Sequence, residues 1–270
     1  MFISSSHGTL AYEEYGKGDT VVLFIHGNSS CQKVFKRQMT SEFYEQYRMI
    51  TFDLPGHGES ENSPTPHQTY TLPGFADATQ ELIEALQLQR PVVVGWSLGG
   101  HIAIELLSRH LPLQALLLSG APPVGKVNGI SDISQGFKKS PTGSTAGAEV
   151  WSDDDARNFV RRIFLGSEEN FLIDAAKKAD GRFRKRVFEA SRDGLGVNQR
   201  DVIEGASIPI GVINGAEDPI LNLDYFDSLH YQRLWGGAVL RAPGVGHAPF
   251  WQDPKTFNAQ LGRFLADTES

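Results

Sequence analysis

The chain has 270 residues, a formal net charge of −7, 21% charged residues and one cysteine, which is enough to bury one large core without a second independent domain. The acidic balance and the lack of any basic block exclude nucleic acid or an anionic membrane surface as the main partner, since both recruit clustered Lys and Arg. No stretch approaches the roughly 18 uninterrupted apolar residues of a membrane helix. Cys31 has no second cysteine to pair with, and residues 1–10 lack the basic-then-apolar pattern of a secretory signal. The expectation is therefore a reduced, cytoplasmic protein whose partner is a small neutral molecule.

Residues 20–26, 48–53, 91–96, 113–119, 209–214 and 238–241 are short runs of β-branched and apolar side chains that read as buried strands. Between them lie helix-patterned stretches: 75–88, with Leu82, Ile83 and Leu86 on one face; 98–110; and 255–266, entered through Pro254. Strands alternating with helices predict an α/β fold whose mostly parallel sheet has helices on both faces. Ligands of such sheets bind beyond the carboxyl ends of the strands, so motifs at those ends carry the most functional information.

The alternation breaks at 121–207. A Gly-, Ser- and Pro-rich stretch over 122–147 precedes three helix signals. Ser152 can cap a helix whose first turn is Asp153, Asp154 and Asp155, whose last turn carries Arg161 and Arg162, and which stops at Gly166. Ser167 can start a second helix through Phe171, Leu172 and Ala175, and a third can run from Asp180 or Gly181 through Phe183, Val187 and Phe188 to Gly194. The predicted organisation is a core of 1–120 and 208–270 with a helical cap of 121–207 acting as a lid. The three consecutive aspartates read as a helix start rather than a cation site.

Gly95-Trp96-Ser97-Leu98-Gly99 joins a predicted strand to a predicted helix, the context in which a strained turn lifts a serine hydroxyl clear of a sheet. A serine hydroxyl is a weak nucleophile at neutral pH and needs a base, which in turn needs a partner that fixes its tautomer. His247, in Gly244-Val245-Gly246-His247-Ala248-Pro249 after the last strand, is the candidate base. The turn Gly215-Ala216-Glu217-Asp218-Pro219 supplies the acid; Asp218 is the choice and Glu217 the competitor, because neighbouring side chains in a turn point differently. Backbone amides suffice for an oxyanion, and those of Leu98 and Asn28, the latter in His26-Gly27-Asn28-Ser29-Ser30, are nominated. His26 more naturally braces its loop than acts as a base, and Asp53 and His57 are expected to hold together the tight loop Asp53-Leu54-Pro55-Gly56-His57-Gly58-Glu59-Ser60. Neither H-x-H nor H-E-x-x-H occurs, so no metal and no redox cofactor is expected.

These five motifs, in this order, resemble the α/β-hydrolase superfamily across nearly the whole chain. The resemblance implies an eight-stranded sheet and a cap between the sixth and seventh strands. More narrowly, His26-Gly27-Asn28-Ser29-Ser30, Gly95-Trp96-Ser97-Leu98-Gly99-Gly100-His101 and Gly246-His247-Ala248-Pro249-Phe250 resemble the metal-free N-acyl-homoserine lactone lactonases of that superfamily, the quorum-quenching enzymes. In such lactonases the acid can be glutamate, which keeps Glu217 in view. The activity implied is lactone opening through an acyl-enzyme. An apolar channel for the acyl tail would draw on Trp96, Trp151, Phe159, Phe164 and Phe250, side chains that can equally glue cap to core. A carboxylesterase, a carbon–carbon bond hydrolase and a cofactor-free perhydrolase share the same machinery. A ligand receptor that signals through its cap is the rival of another class.

Overall fold

The computed structural model describes residues 1–139, 145–167 and 169–269. Ten strands form among the described residues: β1 Phe2–Ser5, β2 Gly8–Tyr15, β3 Thr20–Ile25, β4 Tyr47–Phe52, β5 Val92–Trp96, β6 Ala115–Ser119, β7 Lys126–Val127, β8 Ile130–Ser131, β9 Ile210–Gly215 and β10 Leu240–Ala242. Eight of them make one sheet in the order β1-β2-β4-β3-β5-β6-β9-β10, and β7 with β8 is a separate two-residue hairpin. The pairs β1–β2 and β2–β4 are antiparallel, and the rest of the large sheet is parallel. All six strands expected from apolar runs are present, shifted by one or two residues at their ends. β1 and β2 escape the apolar-run criterion because β1 carries three serine or exposed positions, with Phe2 64% exposed, and β2 contains the solvent-facing Glu13 and Glu14.

The chain runs outward from β3 to β4 and then returns past β3 to β5. The loops after β3 and β5 therefore leave the sheet in opposite directions, and a crevice opens between them. Register places Ile25 beside both Phe52 and Gly95, and Trp96 beside Ser119, so these strands end along one edge.

Alternating side chains of the central strands fill two separate cores. Leu23, Ile25, Val93, Leu116 and Leu118 pack against Phe75, Leu82, Ile102 and Leu106 of the helices Leu72–Ala85 and Leu98–Leu107. Val22, Phe24, Val92, Val94, Trp96 and Leu117 face Phe257, Leu261 and Phe264 of the helix Pro254–Thr268. Period-two burial on both faces is why these strands read as nearly continuous apolar runs.

Between β6 and β9, among the described residues, lie four helices, Asp153–Ile163, Asn170–Lys178, Gly181–Arg192 and Gln199–Glu204. Residues 140–144 of the Gly-, Ser- and Pro-rich stretch, and residue 168, lie outside the described residues. Ser152 caps the first helix through a capping box with Asp155, and Gly166 follows it at φ +82°. The second helix starts later than Ser167, which instead closes the turn after the first by donating its amide to the Phe164 carbonyl; Glu169 is the cap. Asp180 caps the third helix through the Arg182 amide. Gln199–Glu204, only six residues long, carried no recognised signal. The first two helices bury Ala156, Val160, Ile163, Leu172 and Ile173 on the Trp96 side of the sheet, whereas the third buries Phe183 and Val187 on the other.

Candidate active site

Ser97 stands between β5 and the helix Leu98–Leu107 at φ +53°, a left-handed conformation costly for a side-chain-bearing residue. The turn is held by Ser97 donating its amide to the Ser119 carbonyl at 2.8 Å, and by Gly100 and His101 donating theirs to the Ser97 carbonyl. Helix and β3 approach so closely that a Cβ on Gly99 would lie 2.1 Å from the Ile25 carbonyl oxygen, which only glycine allows. The result is a half-exposed hydroxyl above the carboxyl end of the central strand.

His247 lies in the loop after β10, 1% exposed, with its Nε2 3.0 Å from Ser97 Oγ and its Nδ1 2.7 Å from Asp218 Oδ2. The carboxylate only accepts, so Nδ1 carries the proton and Nε2 presents its lone pair to the serine. Asp218 Oδ1 accepts the amides of Ile220 and Leu221 at 2.9 and 3.1 Å. Burial by itself would raise the Asp218 pKa, but His247 and these donors outweigh it and hold the carboxyl below its ordinary value. Glu217 is exposed, and the turn gives its amide to the Val245 carbonyl; the acid facing the imidazole is Asp218. The His247 loop is anchored twice: Trp96 Nε1 donates to the His247 carbonyl at 2.8 Å, and the Gly246 amide donates to Gln252 Oε1 at 2.6 Å.

The loop after β3 crosses beside the serine. A Cβ on Gly27 would lie 3.0 Å from Ser97 Cβ and 2.9 Å from the Trp96 ring, so the loop comes this near only as glycine. Among the described residues neither the Asn28 amide nor the Leu98 amide has an acceptor. Two free donors beside a hydroxyl suit an anion forming there.

Residues 22–260 match the alpha/beta hydrolase family. The chain belongs to this family. Among its relatives, the AB hydrolase superfamily protein YisY of Bacillus subtilis is 26% identical over 97% of both chains. The pimeloyl-[acyl-carrier protein] methyl ester esterase of Neisseria meningitidis is 25% identical over 90% of this chain and 76% of its own length. Among solved alpha/beta hydrolases, N-acyl homoserine lactonase AidH in complex with N-butanoyl homoserine superposes with a TM-score of 0.94 and 38% identity, covering 99% of this chain and 96% of that one.

Within this alpha/beta hydrolase, His26 braces the loop as expected: Nδ1 donates to the Gly27 carbonyl at 2.8 Å and Nε2 accepts the Leu54 amide at 3.1 Å. Asp53 accepts the amides of Gln32 and Glu59, tying the two loops together. His57 donates Nδ1 to the Pro55 carbonyl, while its buried Nε2 has no partner among the described residues.

The aromatic residues nominated for an acyl channel divide. Phe250 is 0%, Trp96 2% and Phe164 4% exposed, packed with Trp251 in the core between sheet and helices. They have almost no free surface, and Trp96 braces the His247 loop through its indole. Trp151 and Phe159 are half-buried, with ring centroids 4.9 Å apart, and retain surface for a ligand.

Four contributors had no sequence signal: the Trp96 indole on His247, Lys138 Nζ donating to the Asp218 carbonyl at 2.8 Å, Gln252, and Arg184, which reaches Ser29. Trp96, Lys138 and Arg184 act across 80 or more residues of sequence, and Gln252 across six, each through an ordinary residue type. Among the described residues no three His, Cys, Asp or Glu side chains are grouped to hold a metal ion, and no helix is long and apolar enough to cross a membrane.

Proposed function

We propose that this protein is a serine hydrolase that opens the lactone ring of N-acyl-homoserine lactones, a quorum-quenching activity, with Ser97 as nucleophile, His247 as base and Asp218 as the acid that orients the base. The observation that carries the chemistry is the continuous chain from Ser97 Oγ through His247 to Asp218, beside two amides without acceptors. The likeness to AidH over nearly the full length supports the lactone as substrate.

The Ser97 proton passes to His247 Nε2 as Oγ attacks the lactone carbonyl, and the oxyanion accepts the amides of Asn28 and Leu98. Collapse breaks the ring C–O bond, and His247 returns the proton to the departing alkoxide. The new hydroxyl stays tethered to the acyl group, so it can re-attack the acyl-enzyme unless it swings away. Water, deprotonated by His247, then releases the open-chain carboxylate. In this reading 121–207 is a cap over a core of 1–120 and 208–270, Trp151 and Phe159 meet the acyl tail, no cofactor takes part, and the enzyme works in the cytoplasm.

The test is incubation of wild type and Ser97→Ala with N-hexanoyl-homoserine lactone at neutral pH, with a chelator present and spontaneous opening subtracted. Ring opening by wild type alone is expected. Cleavage of simple esters without lactone opening would leave the serine mechanism standing and replace the lactonase by a carboxylesterase, the reading favoured by the methyl ester esterase relative.

A further inference from the structure

Arg184 is buried, 3% exposed, on the helix Gly181–Arg192, and among the described residues no carboxylate lies within ion-pair distance of it. Its nearest acidic neighbour along the chain, Asp180, is engaged by Arg182 and by the Tyr70 hydroxyl. The guanidinium instead donates Nε to the Ala148 carbonyl at 2.9 Å, Nη2 to the Glu149 carbonyl at 3.1 Å and Nη1 to Ser29 Oγ at 3.2 Å, with its carbon 4.1 Å from the centre of the Trp151 ring. A buried cation without a counter-charge is costly, and a methionine of similar volume would fill the space more cheaply.

The hydrogen bonds have one consistent direction. Ser29 Oγ accepts from Arg184, so its single proton goes to Asn28 Oδ1 at 2.8 Å, and Asn28 Nδ2 donates to the Ala146 carbonyl at 3.3 Å. The circuit leaves the stretch 146–149, crosses Arg184, passes through the loop after β3 and returns to the same stretch. Ser29 is held at φ +51°, a conformation that a residue with a side chain resists and that the circuit helps to maintain.

We propose that Arg184 is a positioning residue for the hydrolysis: through Ser29 it locks the Asn28 peptide in the orientation that receives the oxyanion, making the donor dependent on the docked helical layer. This rests on the reading of Asn28 and Leu98 as oxyanion donors. Positive charge two hydrogen bonds from the side chain of Asn28, whose backbone amide is the donor, favours the transition state, which carries the anion, over the neutral bound ester. Loss of the circuit therefore lowers kcat and leaves KM largely unchanged.

The experiment measures kcat and KM for N-hexanoyl-homoserine lactone and for phenyl acetate, an ester too small to need the helical layer for binding. The variants are Ser29→Ala, Arg184→Lys, Arg184→Met, Ser29→Ala with Arg184→Met, and Ser97→Ala. Ser29→Ala and Arg184→Met should each lower kcat about tenfold on both substrates with KM within about twofold. The double variant should be no worse than Arg184→Met, and Arg184→Lys should keep part of the rate. Unchanged kcat in Ser29→Ala and Arg184→Lys, effects that multiply in the double variant, or a loss confined to KM would each overturn the proposal; the two conservative variants decide it even where Arg184→Met fails to fold. Turnover surviving in Ser97→Ala would instead remove the serine mechanism itself.

Discussion

Asp218 and Glu217 are adjacent carboxylates on one turn, and their surroundings separate them completely. Asp218 is 1% exposed, accepts from the His247 ring and two backbone amides, and remains ionised despite burial. Asparagine at this position keeps the shape but offers an N–H to Nδ1, which then presents the wrong tautomer to Ser97. Asp218→Asn should lower kcat by about ten-thousandfold with the fold intact, whereas Glu217→Gln should stay within about twofold of wild type. Steady-state kinetics on the lactone and on a simple ester check both; a large loss in Glu217→Gln with Asp218→Asn near wild type would reverse the assignment of the acid. Residue type and chain order made Ser97, His247 and one of these two acids legible from the sequence. The choice between them required knowing which way each Cβ leaves the turn.

At the scale of elements, the tightest constraint is the approach of the helix Leu98–Leu107 to β3. An added methyl at Gly99 meets the carbonyl oxygen of Ile25 at 2.1 Å and that of His26 at 2.6 Å, so backbone must move rather than a side chain. Gly99→Ala is expected to cost about 3 kcal/mol or more, seen as a lower midpoint in urea with an unchanged slope. Activity should fall further than stability alone explains, because the Leu98 amide moves with the helix. The elbow was legible because glycine spacing between an apolar run and a helix has a steric meaning. β1 and β2 were not, because β1 alternates exposed and partly buried positions and β2 buries only Leu10 and Ala11 before the exposed Glu13 and Glu14, which leaves no continuous apolar run. For Phe250, Phe164 and Trp96 the sequence left channel lining and core packing both open, for a related reason. Size and hydrophobicity mark a side chain for burial, and only packing tells core from pocket.

Across the whole molecule, the fold strips water from three imidazoles outside the Ser97–His247–Asp218 chain, those of the buried His26 and His57 and of the partly buried His101. Burial first of all holds His26, His57 and His101 below the ordinary histidine pKa, by stripping water from the charged form; His57 is further depressed by His26 and by Arg184, with Asp180 opposing. The unfolded chain takes up protons as pH falls through about 6.5 and the native protein does not. Stability is therefore greatest above that pH and is lost below it, at up to about 1.4 kcal/mol per pH unit for each imidazole. Glu105, whose carboxyl is pushed up by burial, works in the opposite direction, one group against three. Thermal unfolding followed from pH 7.5 to 5 should show a steadily falling midpoint; a flat profile would mean that these rings are protonated in the native state. His26 and His57 lie 5.1 Å apart, with the Phe183 ring 4.2 Å from His57, so acidification should loosen the helix Gly181–Arg192 first, seen as faster amide exchange there.

Local information determined a good deal. Apolar runs with period-two burial defined the parallel strands, glycine and proline placed the turns, and the order of serine, acid and histidine on successive strand ends pointed to a nucleophile and its base. All of these are encoded in neighbouring residues, where backbone sterics and periodicity act. The tertiary structure decided what depends on residues far apart in the chain: Asp218 over Glu217, core over channel for three aromatics, and the path from Arg184 through Ser29 to Asn28, which spans 155 residues in a single hydrogen bond. Such contacts depend on side-chain direction and on the docking of separate elements, and these exist only once the chain has folded.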